Sequence, residues 1–320
     1  MGGDKAPGEI VAGARAAAEE FGIPVVLVGP TDGTLGDIGD LTILEATSHV
    51  EMGEDPVRAI RQKKDSSLVV AAEAVRDGLC SAMVSAGNTG AAMTAAILRM
   101  GRIPGVARPA VATPLPVPGG SPTILIDAGA NAECQTDWMV QFAQMASAYA
   151  TARYGIESPR VALLSNGEEA SKGSPLVKET HERFRAGAGV NFIGNVEGRD
   201  LLTGDADVIV TDGFTGNVAL KALEGALQVF LGILSSAIAS SPETKAAGDV
   251  LIPALIPYAA NVDPEETGGA MLLGVQGVCI ISHGSSSRKA ITNAVRAAHD
   301  MAEQDLVGRL RGAVAKGVTQ

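Results

Sequence analysis

Six times along the chain, a short run of aliphatic and β-branched residues ends in a small or acidic residue plus glycine, and a polar residue then opens a helical pattern. The runs are PVVLVGP from Pro24, SAMVSAGNTG from Ser81, TILIDAGAN from Thr123, RVALLSNGEE from Arg160, ADVIVTDGFTGN from Ala206 and VCIISHGSSS from Val278. Each is apolar almost throughout, the pattern of a strand covered on both faces, as in a parallel sheet. The segments between them read as helices over 9–21, 56–77, 89–100, 137–154, 174–186, 217–239 and 286–302. Such alternation predicts right-handed βαβ crossovers: an α/β, Rossmann-like parallel-sheet sandwich with helices on both faces. It also explains why 39 of 320 residues are glycine. They gather at the carboxyl ends of strands, the edge where such sheets bind ligands and where helix N-termini favour anions.

A net charge of −11 repels phosphate backbones, and 1 Trp, 3 Tyr and 6 Phe offer little to stack on bases, so no nucleic acid is expected. Cys80, Cys134 and Cys279 lie far apart with no C-x-x-C partner, which argues against a zinc site or a disulfide framework and fits a reducing cytoplasm. The N-terminus lacks the basic and apolar regions of a signal peptide. No stretch reaches ~18 uncharged apolar residues; the nearest, 226–239, reads as a buried helix or interface segment. Ser241 and Pro242 read as the cap and first residue of a further helix. The following DVLIPALIPYAANVDPEE is apolar but interrupted by Pro253 and Pro257, which predicts an apolar helical tip over 240–265 rather than a buried helix.

Several strand ends carry chemistry. SAGNTG puts Gly87, Asn88, Thr89 and Gly90 at a turn where Asn88 or Thr89 either caps a helix or faces a ligand. TDGFTGN combines Asp212, Gly213, Thr215, Gly216 and Asn217 at a helix start, with Asn217 either a cap or a catalytic amide. NGEEASKGSP sets Lys172 in a glycine-flanked loop; loop lysines are commonly just solvated, but this one could reach phosphate as a point charge. Neither a P-loop nor G-x-G-x-x-G nor G-x-S-x-G occurs. His283 and Ser285 stand at the last strand end, as a structural pair or an anion contact, while His49, His181 and His299 lie in polar surroundings and read as surface residues. Arg58, Arg61, Lys63 and Lys64 gather in one short segment, extended by Arg99 and Arg102, either as a solvated face or as a dock for an acidic partner.

With these motifs the sequence resembles the phosphate acyltransferases of bacterial phospholipid synthesis, the PlsX family. The segments MGGDKAP, EDPVRAIRQKKDSS, SAGNTGA, GRIPGVARPA, DAGAN, NFIGNVEGRDLL, VIVTDGFTGNVALK and HGSSS carry the resemblance over nearly the whole chain. It implies transfer of a fatty acyl group from acyl carrier protein to inorganic phosphate, giving an acyl phosphate that a glycerol-3-phosphate acyltransferase consumes. It implies a fold related to phosphotransacetylases and the isocitrate/isopropylmalate dehydrogenases: one unit, 1–320, of up to two subdomains meeting at a cleft. It also implies a homodimer, cytoplasmic with peripheral membrane association, and a first strand ahead of residue 1. The matching catalytic positions are Lys172, for phosphate binding, and Asn217, for the phosphate or the developing oxyanion. Gly87, Asn88, Thr89, Gly90, Asp127, Asn131, Asp212, Gly213, Thr215, Gly216, His283 and Ser285 are expected to line the pocket. The basic segment is expected to dock the acidic carrier, and 250–260 to face a membrane or a second subunit. No metal or nucleotide cofactor is demanded, because phosphate is already a competent nucleophile.

The competing readings are a phosphotransacetylase acting on short acyl-CoA, a decarboxylating dehydrogenase of related fold, and a non-catalytic scaffold for carrier protein and membrane. The last leaves the Asp, Asn, Ser and His at the strand ends unexplained.

Overall fold

The computed structural model describes residues 1–318, with the side chains of 256–262, 264 and 316–318 outside the description. The strands are β1 (Val26–Gly29), β2 (Thr42–Glu45), β3 (Ala82–Ser85), β4 (Ala110–Leu115), β5 (Thr123–Ile126), β6 (Arg160–Leu164), β7 (Asn191–Val196), β8 (Val208–Val210), β9 (Ala270–Leu273) and β10 (Val278–Ile281). The helices are α1 (Gly8–Phe21), α2 (Pro56–Gln62), α3 (Ser67–Arg76), α4 (Thr89–Ala95), α5 (Thr136–Tyr154), α6 (Pro175–Arg185), α7 (Gly213–Ile238), α8 (Pro242–Val262), α9 (Pro264–Thr267), α10 (Arg288–Glu303) and α11 (Leu306–Val318). All six expected strands are present, and β5, β8 and β10 are buried along their whole length, as their unbroken apolar runs require.

Eight strands form one sheet in the order β3-β10-β9-β4-β5-β8-β6-β7, while β1 and β2 pair separately. One face packs on Phe142, Met139, Met145, Ala294 and Met301 from α5 and α10. The other packs on Val69, Ala72, Ala91, Ala92, Ala95 and Ala96 from α3 and the α4 region. A cavity of about 460 Å³ lies beside β1 and β3, lined by Met1, Ile10, Leu27, Met83, Ile291 and Val295.

The α/β class is as expected, but the sheet is mixed. β5, β8, β6 and β7 are mutually parallel, β10 and β3 are mutually parallel, and antiparallel β4 and β9 join the two groups. With three reversals between them, β10 runs opposite to β5. The strand carboxyl ends therefore do not form a single edge.

One expected helix is broken. The span 56–77 divides into α2 and α3 because residues 65–67 bond sideways: Ser67 N–H donates to Ser48 O at 3.0 Å, and Ser48 Oγ donates to Asp65 at 3.0 Å. In contrast, α8 runs on through Pro253 and Pro257. These prolines are four residues apart, so their missing N–H groups fall on one face of a helix that is exposed at Asp249 and Val250. Ser241 does cap α8's first turn, accepting from Thr244 N at 3.2 Å. Rather than being buried in the chain, α7 exposes Val229, Phe230, Leu231 and Ile233 at 60–64%. By length and composition alone it is apolar enough to cross a membrane.

Candidate active site

The turns after β5, β8 and β6 emerge side by side, because these strands are adjacent and parallel. The first turn is built around a buried anion. Asp127 Oδ1 accepts from the N–H groups of Val111 (3.0 Å), Gly129 (3.2 Å) and Ala130 (2.9 Å), and Oδ2 accepts from Asn131 N and Nδ2, both at 2.8 Å. Burial pushes the Asp127 carboxyl above its ordinary value, and the bonds from Ala130, Val111 and Asn131 pull against that. Asn131 Nδ2 also donates to Pro109 O at 2.8 Å. Asp127 and the amide nitrogen of Asn131 thus hold the backbone of the turn, and both carboxylate oxygens are spent on it.

The start of α7 docks on this turn backbone to backbone. Gly213 N–H donates to Asn131 O at 2.8 Å, and a Cβ on Gly216 would stand 2.0 Å from Asp127 O. Only glycine permits that approach. Asp212 caps the helix, accepting from Thr215 N (2.8 Å) and Thr215 Oγ1 (2.7 Å). One turn later Asn217 lies over Gly129, whose φ of 139° favours glycine: a Cβ there would be in van der Waals contact with Asn217 Cγ, at 3.6 Å. The Asn217 side chain is exposed and has no hydrogen-bond partner among the described residues.

Lys172 sits in the 165–174 loop between β6 and α6. It too is exposed and unpaired among the described residues, its stem lying across Gly167, where a Cβ would meet Lys172 Cγ at 2.7 Å. Because β6 pairs with β8, this loop and the start of α7 are neighbours at one end of the sheet.

Gly87, Asn88, Thr89, Gly90, His283 and Ser285 form a second group at the ends of β3 and β10. Ser282 N–H donates to Ser85 O at 2.8 Å, Asp4 N–H to Gly284 O at 3.0 Å, and His283 Nδ1 lies 2.7 Å from Ser285 Oγ. Asn88 is buried and fully engaged: Oδ1 caps Ala91 N at 2.9 Å, and Nδ2 donates to the 51–54 loop, with Met52 O at 2.9 Å. Gly90 lets Pro56 pack close. Ile280, Met271, Ala112 and Ile126 share one row across four strands, three strand spacings or about 14 Å wide. From that row β10 runs on to His283 in one direction and β5 to Asp127 in the other. Among the described residues, no hydrogen bond or ion pair joins the two groups.

The helix N-termini are less open to an anion than the sequence suggests. Ala91 N is taken by Asn88, Val177 N by Ser174, Thr215 N by Asp212 and Ala290 N by Ser287. What the Asp127 end still offers is the helix dipole and, unpaired among the described residues, the exposed side chains of Lys172 and Asn217 and the buried hydroxyl of Ser165.

The basic residues also divide. Lys63 is tied to Glu54 at 2.5 Å and to His49 O at 2.8 Å; Arg99 pairs with Glu73 at 3.7 Å and donates to Ile60 O at 3.2 Å. Arg102 donates to Ala107 O. Arg58, Arg61 and Lys64 remain exposed, with side chains unpaired among the described residues.

Two features escaped the sequence reading. His181 is not a surface residue: it is 6% exposed, with Nδ1 2.9 Å from Asn195 Oδ1. Asn195, 7% exposed, donates from Nδ2 to Glu169 O at 3.0 Å, and a lone asparagine at the end of the FIGNV strand pattern was the available signal. Glu168, Glu197 and Asp200 bring ligand atoms within 4.8 Å of one another, but Arg199 pairs with all three.

Comparison with known proteins bears on both fold and chemistry. The profile of the fatty acid synthesis protein family matches residues 1–309. A phosphate acyltransferase of Pelotomaculum thermopropionicum is 45% identical over 320 residues, covering 98% of this chain and 93% of the relative. In fold, the chain is similar to a phosphotransacetylase from Streptococcus pyogenes (TM-score 0.62, 18% identity, 92% of this chain and 91% of that one). It is also similar to a branched-chain phosphotransacylase from Enterococcus faecalis (TM-score 0.60, 14% identity, 94% and 97%).

Proposed function

The chain belongs to the phosphate acyltransferase family, so it is an acyltransferase with phosphate as acceptor, and we propose that its acyl donor is a fatty acyl thioester of acyl carrier protein. The observation that carries the site is the pair of polar side chains, Lys172 and Asn217, exposed on neighbouring strand ends and unpaired among the described residues.

A phosphate oxygen attacks the thioester carbonyl carbon. The carbonyl oxygen gains charge, the C–S bond breaks, and the carrier thiolate takes up the proton that phosphate loses. Lys172 neutralises the phosphate, which water would otherwise solvate. Asn217, placed by the α7–turn contact, donates to the phosphate or to the oxyanion; a donor fixed in advance is worth ~3 kcal/mol of barrier. Asp127 acts indirectly, by holding the turn on which Asn217 rests.

Acyl phosphate is a mixed anhydride, so its consumer is an acyltransferase with a hydroxyl acceptor; glycerol 3-phosphate fits a role in phospholipid synthesis. Arg58, Arg61 and Lys64 form the dock for the acidic carrier, supported by their freedom from internal ion pairs. The α7–α8 arm, with Val229, Phe230, Leu231, Val250 and Leu251 exposed, forms the contact between two subunits and, at its tip, with a membrane surface, which makes a cytoplasmic, membrane-peripheral homodimer.

Lys172→Ala and Asn217→Ala should each lower acyl-phosphate formation ~10²-fold or more with the fold intact. Phosphate-dependent loss of carrier thioester, run beside acyl-CoA, measures this. Near-normal turnover in either variant removes that residue from the mechanism, and preference for acyl-CoA removes the carrier.

A further inference from the structure

We propose that Asn195, oriented by His181, is the positioning residue that sets Lys172. This rests on the reading of Lys172 as the phosphate-binding lysine. Asn195 lies near the end of edge strand β7, and a buried amide at such a place is costly unless all its polar atoms are engaged. Both ends are. Nδ2 donates to Glu169 O at 3.0 Å, and Oδ1 meets His181 Nδ1 at 2.9 Å. Glu169 O accepts a second bond, from Lys172 N at 3.0 Å, which closes the turn carrying the lysine. The turn is fastened on its far side by Asn166 Oδ1, which accepts from Gly173 N at 2.8 Å. Asn195 is thus a side chain of the sheet reaching into the loop and gripping the carbonyl on which Lys172 is hung.

The chemistry fixes the orientation of the whole relay. Glu169 O can only accept, so the nitrogen of the Asn195 amide faces it and Oδ1 faces the histidine. His181 must therefore carry a proton on Nδ1, which it does in one neutral tautomer and in the charged form alike. Phe192, edge-on to the imidazole at 5.1 Å between centroids, and burial of His181 hold the ring in place. Among the described residues the lysine side chain has no partner to define where it points, so its position follows from the backbone of its turn.

The test is a double-mutant cycle read with phosphate as the varied substrate. Asn195→Asp keeps the shape but turns the donor facing Glu169 O into an acceptor. It should lower kcat/KM for phosphate ~10–10²-fold in the wild-type background, and change it less than about twofold when Lys172→Ala is already present. His181→Asn, which keeps a donor near the Nδ1 position, should retain most activity, whereas His181→Leu should behave like Asn195→Asp. Amide exchange at Lys172 and Gly173 should quicken in Asn195→Asp and His181→Leu alone. If Asn195→Asp fails to fold, Asn195→Ser, too short to reach Glu169, takes its place.

An equal loss in both backgrounds would mean that Asn195 does not act through Lys172, and unchanged exchange would mean that it does not hold the turn. Either result overturns the proposal. Full activity of Lys172→Ala would instead sink the reading of the lysine, while the exchange measurement would still decide whether the grip exists.

Discussion

Gly216 is the position at which one methyl group tests both the fold and the site. A Cβ there would lie 2.0 Å from Asp127 O and 2.8 Å from Thr211 Cγ2. An ordinary carbon–oxygen contact is longer by more than ~1 Å, so one partner must withdraw. The Asp127 peptide cannot move easily: Asp127 N–H donates to Thr211 O at 3.1 Å, and Thr211 N–H to Ile126 O at 2.6 Å. The start of α7 has to retreat, stretching the 2.8 Å bond from Gly213 N–H to Asn131 O. Overpacking costs about 1–3 kcal/mol and a lost hydrogen bond about 1, while the helix propensity of alanine returns nearly 1. The net is about 1–3 kcal/mol, or roughly 1.5–5 °C in Tm for a chain of 320 residues.

Asn217 moves with the helix. Withdrawal of ~1 Å from Gly129 should cost up to ~10²-fold in kcat. Gly225→Ala is the control: the same change in the same helix, with no atom within 4 Å of the new methyl, should stabilise by ~0.5–1 kcal/mol and leave kcat unchanged. Thermal unfolding by circular dichroism and the acyl-phosphate assay read both effects. If Gly216→Ala melts at or above wild type, the contact between α7 and the Asp127 turn is not the constraint described, and if it melts lower with full turnover, the placement of Asn217 does not depend on it.

The remaining predictions concern charge and the arm. Burial raises the Asp207 carboxyl, but the Arg160 side chain and backbone N–H outweigh it and hold the group below its ordinary value. Its stabilisation is therefore present above the unfolded carboxylate value and lost as pH falls through the lower folded one, so on acidification wild type should lose more Tm than Asp207→Asn does. The double variant Arg61→Glu, Lys64→Glu should raise KM for acyl carrier protein and flatten its salt dependence, with KM for phosphate unmoved; an unchanged carrier KM rejects the dock. Phe230→Glu with Leu231→Glu should shift the sedimentation of a dimer towards monomer, and Leu251→Glu should weaken vesicle flotation; unaltered behaviour in both returns the arm to an unassigned surface.

Strands were legible because burial on both faces of the sheet demands unbroken apolar runs, and such runs are visible in isolation. TILI and VCII could hardly have been anything else. Strands β2, β4, β7 and β9 were not legible. Residues 270–273 and 110–115 owe their direction to pairing partners far away in sequence, and that direction is what separates the His283 end from the Asp127 end. The break in 56–77 had the same cause, a loop from residues 47–48 competing for the backbone.

The chemistry of the candidate site was read in type but not in economy. Sequence marks which residues can donate or accept; it does not show which have already done so. Asp127, Asn88 and Asp212 carry the groups expected of a ligand wall, yet each spends them on a turn or a cap, as does the amide nitrogen of Asn131. Among the described residues, Lys172 and Asn217 stay exposed and unpaired at the Asp127 end, beside the buried, partnerless Ser165 hydroxyl. An enzyme must keep free only the groups that meet the transition state, and it must fix their positions with others that never touch substrate. On that reasoning the aspartate and glycines of DAGAN and DGFTGN are there to place one amide, and the asparagine of NFIGNVE to place one lysine.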